Sequence, residues 1–238
     1  MMVALQPAFV LHRRPYRETS LLVELFTQDY GRVAVVARGI RKARSRSAAL
    51  LQPFMPLLVS WYGRGELHGL SQVEANGYLR ALFGKNLRCG FYLNELLMRL
   101  LPKHDPHARL FATYRQTLED LKGEACEKTL RLFEKKLLME LGYGLPLQEE
   151  QRFKDEENYR YNAEQGFLPC SSVTPKSAIP GRSGVFSGKA LNALLTENFE
   201  DSLCLQEVKK LMRYILATLL GSPLESRSLF ERSLEVEE

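Results

Sequence analysis

The sequence has few cysteines and no closely spaced pair of them. Cys89, Cys126, Cys170 and Cys204 are the only four in 238 residues, and no two of them form a CxxC motif. Structural zinc sites usually take their ligands as closely spaced pairs, so this spacing argues against such a site. A chain of this length can bury a core without cross-links. We therefore expect reduced thiols, no metal site and no other cofactor.

Long apolar runs are also absent. No uninterrupted apolar stretch approaches the roughly 20 residues that a membrane helix requires. The segment Met1–Pro7 has no basic leader followed by an apolar stretch, as a secretory signal would have. These absences predict a cytoplasmic protein that makes no contact with a membrane.

The short motifs that mark common catalytic sites are missing as well. The sequence contains no GxxxxGK[ST], GxGxxG, HExxH or GxSxG pattern. His104 and His107 are the only close histidines, and they flank Pro106 in a polar turn. The acidic residues between Glu149 and Glu157 form a charge run in a polar segment, which is typical of a solvated surface. We predict no catalytic residues and a protein that is not an enzyme.

Positive charge is concentrated in the first third of the chain. Residues 1–80 contain 11 Lys and Arg against 5 Asp and Glu, a net charge of +6. The remaining 158 residues contain 22 and 23, a net charge of −1. This asymmetry indicates a module that binds polyanions, joined to a nearly neutral one.

The hydrophobic period changes near residue 80. Short runs with strand character cover 8–13, 19–27, 31–38, 54–62 and 66–75, separated by glycines. Helical spacing follows over 91–101, 107–122, 126–141, 187–195 and 208–219, with a last short helix over 226–234. The segment 146–186 is polar and contains a possible hairpin at 159–161 and 166–168.

These patterns predict an α+β protein with two domains. Residues 1–80 form a five-stranded OB-type β-barrel, because five short strands without an intervening helical period are typical of small barrels. Residues 81–238 form a mostly helical domain with a loop-rich insertion around 146–186. Ser187 is expected to cap the helix that follows it.

The strongest functional signal is a basic loop at Arg38–Arg46. It holds five cations and no acid in nine residues between two strands: Arg38, Arg41, Lys42, Arg44 and Arg46. Like charges held together repel one another, and a bound polyanion relieves this repulsion and gains entropy from released counterions. The alternative is a solvated loop that serves solubility. We favour nucleic-acid binding, with Arg13, Arg14, Arg17 and Arg32 on neighbouring strands extending the patch.

Aromatic residues in the β region could supply faces on which bases stack. Alternation places Trp61 inward with Leu57 and Val59, and Tyr62 outward. Tyr16 follows Pro15 among arginines and is a candidate for exposure. Most aromatic residues of a small barrel belong to its core, so each of these is a candidate only.

An ordered set of segments along nearly the whole chain resembles the bacterial DNA repair protein RecO family. No single segment is diagnostic, and the specificity lies in the order of the set. The segments are Ala8–His12, Glu18–Leu21, Phe26–Thr27, Gly31–Val33, Ala37–Gly39, Leu51–Leu57, Gly63–Leu67, Tyr92–Leu96, Arg131–Glu134, Leu141–Gly144 and Ser226–Phe230.

The resemblance implies an N-terminal OB-fold, a helical domain and a role as a recombination mediator. Such a protein binds single- and double-stranded DNA, anneals complementary strands and associates with the nucleoid. The resemblance also implies a complex with RecR, binding of the C-terminal tail of single-strand binding protein, and assistance in loading RecA on gapped DNA. Some members carry a four-cysteine zinc finger in the second domain. Here the segment after Gly144 contains Cys170 without close partners, which indicates a zinc-free member.

The acidic and apolar tail requires an apolar groove with cations at its rim. The helix at 126–141 offers this mixture in Arg131, Phe133, Lys135 and Leu137, which we take as the candidate tail site. An ordinary amphipathic helix is the competing interpretation. Two other functions stay open for the whole chain: an RNA-binding OB-fold regulator, which a competition between sugars would separate, and a nuclease, which would require a carboxylate–metal cluster.

Overall fold

Two compact units make up the described part of the chain. The computed structural model describes residues 2–40, 46–77, 81–123, 126–143, 152–162, 164–170 and 184–226. The first unit contains five strands, three helices and the returning segment 224–226. The second unit contains three helices and a small sheet. The period change near residue 80 marks where strands give way to helices, whereas the compact units divide near residue 124.

A closed five-stranded barrel forms the core of the first unit. Its strands, in the order β1-β2-β3-β5-β4, are β1 (Met2–Tyr16), β2 (Ser20–Thr27), β3 (Gly31–Ala37), β4 (Leu57–Tyr62) and β5 (Leu67–Ala75). All neighbours are antiparallel except β3 and β5, which pair in parallel. The predicted five-stranded OB-type barrel is therefore confirmed.

Three helices belong to this unit: α1 (Arg46–Leu50), α2 (Gly84–Leu100) and α3 (Ala108–Asp120). The sequence analysis did not predict α1, because five residues are too few to show a helical period. Helix α2 begins seven residues before the predicted start at Phe91, because its first turn is polar and lacks the apolar spacing of the rest.

Strand β1 is longer than predicted because irregularities interrupt its alternation. It was expected from Ala8 but begins at Met2, and its pairing with β4 shifts register between Val3 and Gln6. Leu5, within that shift, has a φ of 48°, in the left-handed region that a regular strand avoids. A residue in this conformation interrupts the alternation of inward and outward side chains. A pattern with a period of two therefore does not extend across it.

Both faces of the central part of β1 are buried. Val10 lies in the barrel interior, whereas Phe9 lies on the outer face and pairs in register with Phe26 of β2. These two rings pack against Phe111 and Tyr114 of α3, with ring centroids 5.2–6.0 Å apart. The continuous apolar run of β1 thus reflects burial against the barrel core on one side and against α3 on the other.

A buried hydrogen-bond network joins α2 and α3 to β1. The Asn94 carboxamide, 3% exposed, donates to the carbonyl oxygens of Val10 (3.4 Å) and Leu11 (2.9 Å), where β1 shifts register against β2. The Tyr114 hydroxyl donates to Asn94 Oδ1. Burial raises the pKa of Tyr114 well above its ordinary value, so the hydroxyl keeps its proton and remains a donor.

The second unit contains α4 (Cys126–Glu140), α5 (Gly188–Leu195), α6 (Ser202–Leu220) and a three-stranded sheet. The sheet has the order β7-β6-β8, from β6 (Asn158–Asn162), β7 (Gly166–Pro169) and β8 (Val185–Ser187). The predicted hairpin and the three predicted helices are confirmed, and β8 is added to them. Ser187 caps α5 as predicted, since its Oγ accepts from the Ala190 N–H. The helix expected over 226–234 lies outside the described residues except for Ser226.

We predict that Asn94→Leu lowers the free energy of unfolding of the first unit. The substitution leaves two buried carbonyls and one buried hydroxyl without their partner, at about 1–3 kcal/mol for each group left unsatisfied. Tyr114→Phe removes only the hydroxyl and should cost less, about 0.5–1.5 kcal/mol. Urea denaturation followed by circular dichroism measures both. Arg115→Ala, at an exposed position of α3, is the control. Equal losses for Asn94→Leu and the control would contradict the assigned role of the network.

Candidate nucleic-acid interface

The strand pairing brings two arginines and a tyrosine to one cleft at an end of the barrel. Tyr16 pairs with Ser20 across the β1–β2 turn, and Leu21 pairs with Ala37, so this turn lies beside the end of β3. The resulting cleft of about 340 Å³, called the basic cleft below, is lined by the β1–β2 turn, the end of β3 and the start of β5: Tyr16, Arg17, Thr19, Ser20, Val36, Arg38, Gly39, Leu67, His68 and Gly69.

A cation and an aromatic ring are already paired in the basic cleft. The guanidinium carbon of Arg17 lies 5.3 Å from the centroid of the Tyr16 ring. Arg17 has a φ of 53°, a left-handed conformation that a tight turn imposes on this residue. Arg38 is exposed, follows directly after β3 and lines the same cleft. The two cations can contact a phosphate, and the aromatic ring can contact an adjacent base.

The basic loop begins at this cleft. Ile40, its third residue, and Leu51, five residues after its end, are buried in the barrel core, at 5% and 0% exposure, so the chain is anchored to the barrel on both sides of residues 41–45. Arg41, Lys42 and Arg44 lie outside the described residues, and Arg46 is described only as the first residue of α1. Arg38 is therefore the one predicted loop cation whose side chain the structure describes, and it lines the basic cleft.

The predicted cations of β1 differ in their environment. Arg14 is exposed and lies on the same face of β1 as Tyr16, two residues further on. Arg13 lies on the opposite face, half-buried, and its Nη1 donates to the Leu51 carbonyl at 3.1 Å. Arg14 can therefore extend the basic cleft along β1, whereas Arg13 holds the segment before β4.

Arg32 is engaged inside the first unit. Its Nη1 donates to the Met98 carbonyl on α2, and its Nε lies 4.0 Å from Glu24 Oε2, with the side chain 14% exposed. Arg32 alternates with Val33 and Val35 of the barrel core and so lies on the outer face of β3, but this part of that face is covered by α2. Arg32 is thus not among the exposed cations around the cleft.

The candidate tail site on α4 is buried rather than open. Arg131, Phe133, Lys135 and Leu137 are 3%, 1%, 9% and 0% exposed. Arg131 Nη2 bonds Glu134 Oε1 at 2.7 Å, and Lys135 Nζ bonds Glu197 Oε1 and the Leu195 carbonyl. The groove with a cationic rim that the hypothesis requires is therefore not present on these residues. Helix α4 packs against α6, and Arg131 and Lys135 are both paired within the second unit.

The described residues contain neither a metal-binding cluster nor a helix that could span a membrane. Within the described ranges, no group of three or more His, Cys, Asp or Glu could hold a metal ion. None of the helices in these ranges has both the length and the hydrophobicity of a transmembrane span. Cys170 and Cys204 are free thiols, as expected, whereas Cys89 and Cys126 are disulfide-bonded, contrary to the expectation of reduced thiols.

The aromatic predictions for β4 are confirmed. Trp61 is 2% exposed inside the barrel, and Tyr62 is 43% exposed. Arg17 was predicted only as an extension of the patch, although it lines the basic cleft together with Arg38. The available signal was its position in a three-residue turn between two strands, directly after an aromatic residue.

An OB-type barrel with a basic cleft is typical of nucleic-acid-binding modules. Comparison with known proteins identifies the family to which the chain belongs. The family model "Recombination protein O N terminal" matches residues 1–78, and "Recombination protein O C terminal" matches residues 84–228. The chain therefore belongs to the RecO family, a family of DNA repair and recombination proteins.

Curated relatives support the assignment over nearly the full length. "DNA repair protein RecO" of Coxiella burnetii (strain RSA 331 / Henzerling II) is 51% identical over 232 residues, covering 95% of this chain and 97% of the relative. The protein of that name from Methylococcus capsulatus (strain Bath) is 48% identical over 237 residues, covering 97% and 94%. The one from Dechloromonas aromatica (strain RCB) is 44% identical over 239 residues, covering 97% and 96%.

We predict that the double variant Arg17→Ala, Arg38→Ala binds DNA of unrelated sequences more weakly. Each lost phosphate contact should flatten the log–log dependence of affinity on salt by about 0.7 on a single strand, or about 1.4 for both. Fluorescence anisotropy of a labelled oligonucleotide across a salt series measures the slope. Arg213→Ala, at an exposed position of α6, is the control and should leave the slope unchanged. A double variant with the slope of the wild type would place the DNA surface elsewhere.

We predict that Arg131→Met destabilises the second unit. The change removes the cation 2.7 Å from the fully buried Glu134, and breaking a buried pair in this way costs about 3–5 kcal/mol. Lys136→Met, at an exposed position of the same helix, is the matched control and should cost less than about 1 kcal/mol. Urea denaturation monitored by circular dichroism compares them. Equal stabilities of the two variants would mean that Arg131 is not held as the structure describes.

Proposed function

We propose that this RecO family member is a non-enzymatic mediator that binds single- and double-stranded DNA through its barrel and anneals complementary strands. The observation that carries the proposal is the basic cleft, in which Arg17, Tyr16 and Arg38 converge at the start of the five-cation basic loop. Contacts of this kind recognise the phosphate backbone and carry no information on sequence.

Annealing follows from the same chemistry. Two complementary strands repel one another through their phosphates, and a surface that neutralises several phosphates lowers this repulsion while the bases pair. Because the contacts do not depend on sequence, the surface serves any pair of complementary strands. The five cations of the basic loop follow the cleft in the sequence, so they can add phosphate contacts to those of the cleft.

The partners are proposed from the family. A recombination mediator of this kind acts with RecR, binds the C-terminal tail of single-strand binding protein, and assists the loading of RecA on gapped DNA. A protein bound to chromosomal DNA is expected at the nucleoid in the cytoplasm. The four α4 residues first considered for the tail are buried, so the proposal does not place the tail on them.

Two alternative functions have distinct experimental signatures. An RNA-binding regulator with an OB-fold would prefer ribose, which competition between DNA and RNA strands of one sequence measures directly. A nuclease would cleave DNA with a divalent cation, and incubation with Mg²⁺ followed by gel electrophoresis tests this. The barrel region has five acids in 80 residues, and the described residues bring no three of them together with a metal-binding geometry.

We predict that the full chain accelerates the annealing of complementary oligonucleotides and that removal of the basic loop charge slows it. The variant with Arg41, Lys42, Arg44 and Arg46 all changed to Ala should lose acceleration together with DNA affinity, because fewer phosphates are neutralised. Fluorescence energy transfer between labelled strands measures the rate, with Arg213→Ala as the control. Binding without acceleration of annealing would contradict the proposed mediator activity, and tighter binding to RNA than to DNA would favour the regulator.

A further inference from the structure

A second cavity lies in the first unit, beside the basic cleft. Its volume is about 320 Å³, and His68 lines both spaces. Its walls come from the β2–β3 turn, the start of β3, the end of β4, the β4–β5 loop, the start of β5, and the connection between α2 and α3. We call it the aromatic cavity, and its principal residues are Tyr30, Trp61, Gly63, Arg64, His68 and His104.

Four rings give the aromatic cavity flat, weakly polar walls. Tyr30 and Trp61 meet edge to face, with centroids 5.3 Å apart and an interplanar angle of 85°. His68 is 6.4 Å from Trp61 and 5.5 Å from His104, measured between ring centroids. Rings arranged around an open space leave faces and edges on which a planar ligand can stack.

His68 supplies a polar atom that no described residue binds. The residue is 8% exposed, and its Nδ1 is buried with no hydrogen-bond partner among the residues that the structure describes. A Cβ at Gly63, also a lining residue, would lie 3.8 Å from this nitrogen. Buried polar atoms nearly always have a partner, so this one indicates a ligand group. Burial and the neighbouring His104 lower the pKa of His68, so the neutral ring offers one donor and one acceptor.

The mouth of the aromatic cavity is positive. Arg64 is exposed between Gly63 and Gly65, whose φ values of 123° and 86° shape the β4–β5 loop. The nearest acid in the sequence, Glu66, lies 3.8 Å from Lys103 in an ion pair. A ligand with a flat uncharged ring and an attached anion matches a ring-lined cavity with one cation at its edge.

We propose that the aromatic cavity takes one unstacked base of a DNA single strand, with Arg64 on the adjacent phosphate. This inference rests on the proposed DNA binding and specifies a second contact for it. The strand reaches the cavity from the basic cleft, because the two spaces meet at His68. A base within a duplex is stacked and paired and cannot enter, so the cavity distinguishes a single strand from a duplex.

The chain contains one tryptophan, Trp61, so its emission reports on the aromatic cavity alone. Full-length protein is titrated with an oligothymidine strand, with an abasic strand of equal length and charge, and with a duplex. Binding is followed in parallel by the anisotropy of a label on the DNA. We expect quenching of Trp61 emission by the oligothymidine strand only, at the protein concentrations where anisotropy shows binding.

Two variants test the residues. His68→Leu removes both ring nitrogens and keeps an apolar side chain, and should weaken binding of the oligothymidine strand about 5-fold or more while leaving the abasic strand unaffected. Its melting temperature should not fall, because no described residue binds the replaced nitrogen Nδ1. Arg64→Glu should weaken the binding of both the oligothymidine strand and the abasic strand. The loss should exceed that of Arg115→Glu, which makes the same change of charge at an exposed position of α3.

The outcomes separate this inference from the proposed function. DNA binding by anisotropy without a change in Trp61 emission overturns the base site and leaves the proposed function intact. Equal quenching by the abasic strand overturns it too, because the ligand is then the phosphate backbone. An equal loss for both strands in His68→Leu would show that His68 acts only on the fold. If no DNA binds in either assay, the proposed function fails and the base site fails with it.

Discussion

The Asn94 carboxamide is the contact on which the first unit depends. It binds two successive carbonyls of β1 and one hydroxyl of α3, and it does so in a buried place where water cannot substitute for it. Strand β1 pairs with β2 along its second half and with β4 along its first half, so its path determines how the barrel closes. By holding β1 at its register shift, α2 and α3 also fix the β1–β2 turn that forms one wall of the basic cleft.

Much of this architecture could be predicted from local patterns. Alternating apolar residues between glycines predicted the five strands, and helical spacing predicted α2–α6, because these signals depend only on neighbours in the sequence. What local patterns could not give was the effect of one element on another. The start of β1 is concealed by a register shift, and the five residues of α1 show no period.

The exposure of the candidate site residues also depends on elements distant in the sequence, so local patterns could not predict it. Arg32 lies on the outer face of its strand as alternation indicates, but α2 covers that face and binds the guanidinium through Met98. Arg131 and Lys135 resemble rim cations of a groove, yet Glu134 and Glu197 neutralise them inside the second unit. Charge in the sequence therefore identified the basic cleft through Arg38, but it could not distinguish an exposed cation from one that another element encloses.

The parallel pairing of β3 with β5 has a consequence for how the barrel forms. It is the shortest ladder in the barrel, with three residue pairs, from Ala34 and Leu67 to Val36 and Gly69. The intervening chain includes the whole basic loop, so closing this seam brings together two strands that are separated by a segment whose cations repel one another. Anions that screen this segment should therefore speed the folding of the barrel, and a polyanion would act as a template for closure as well as a ligand of the finished fold.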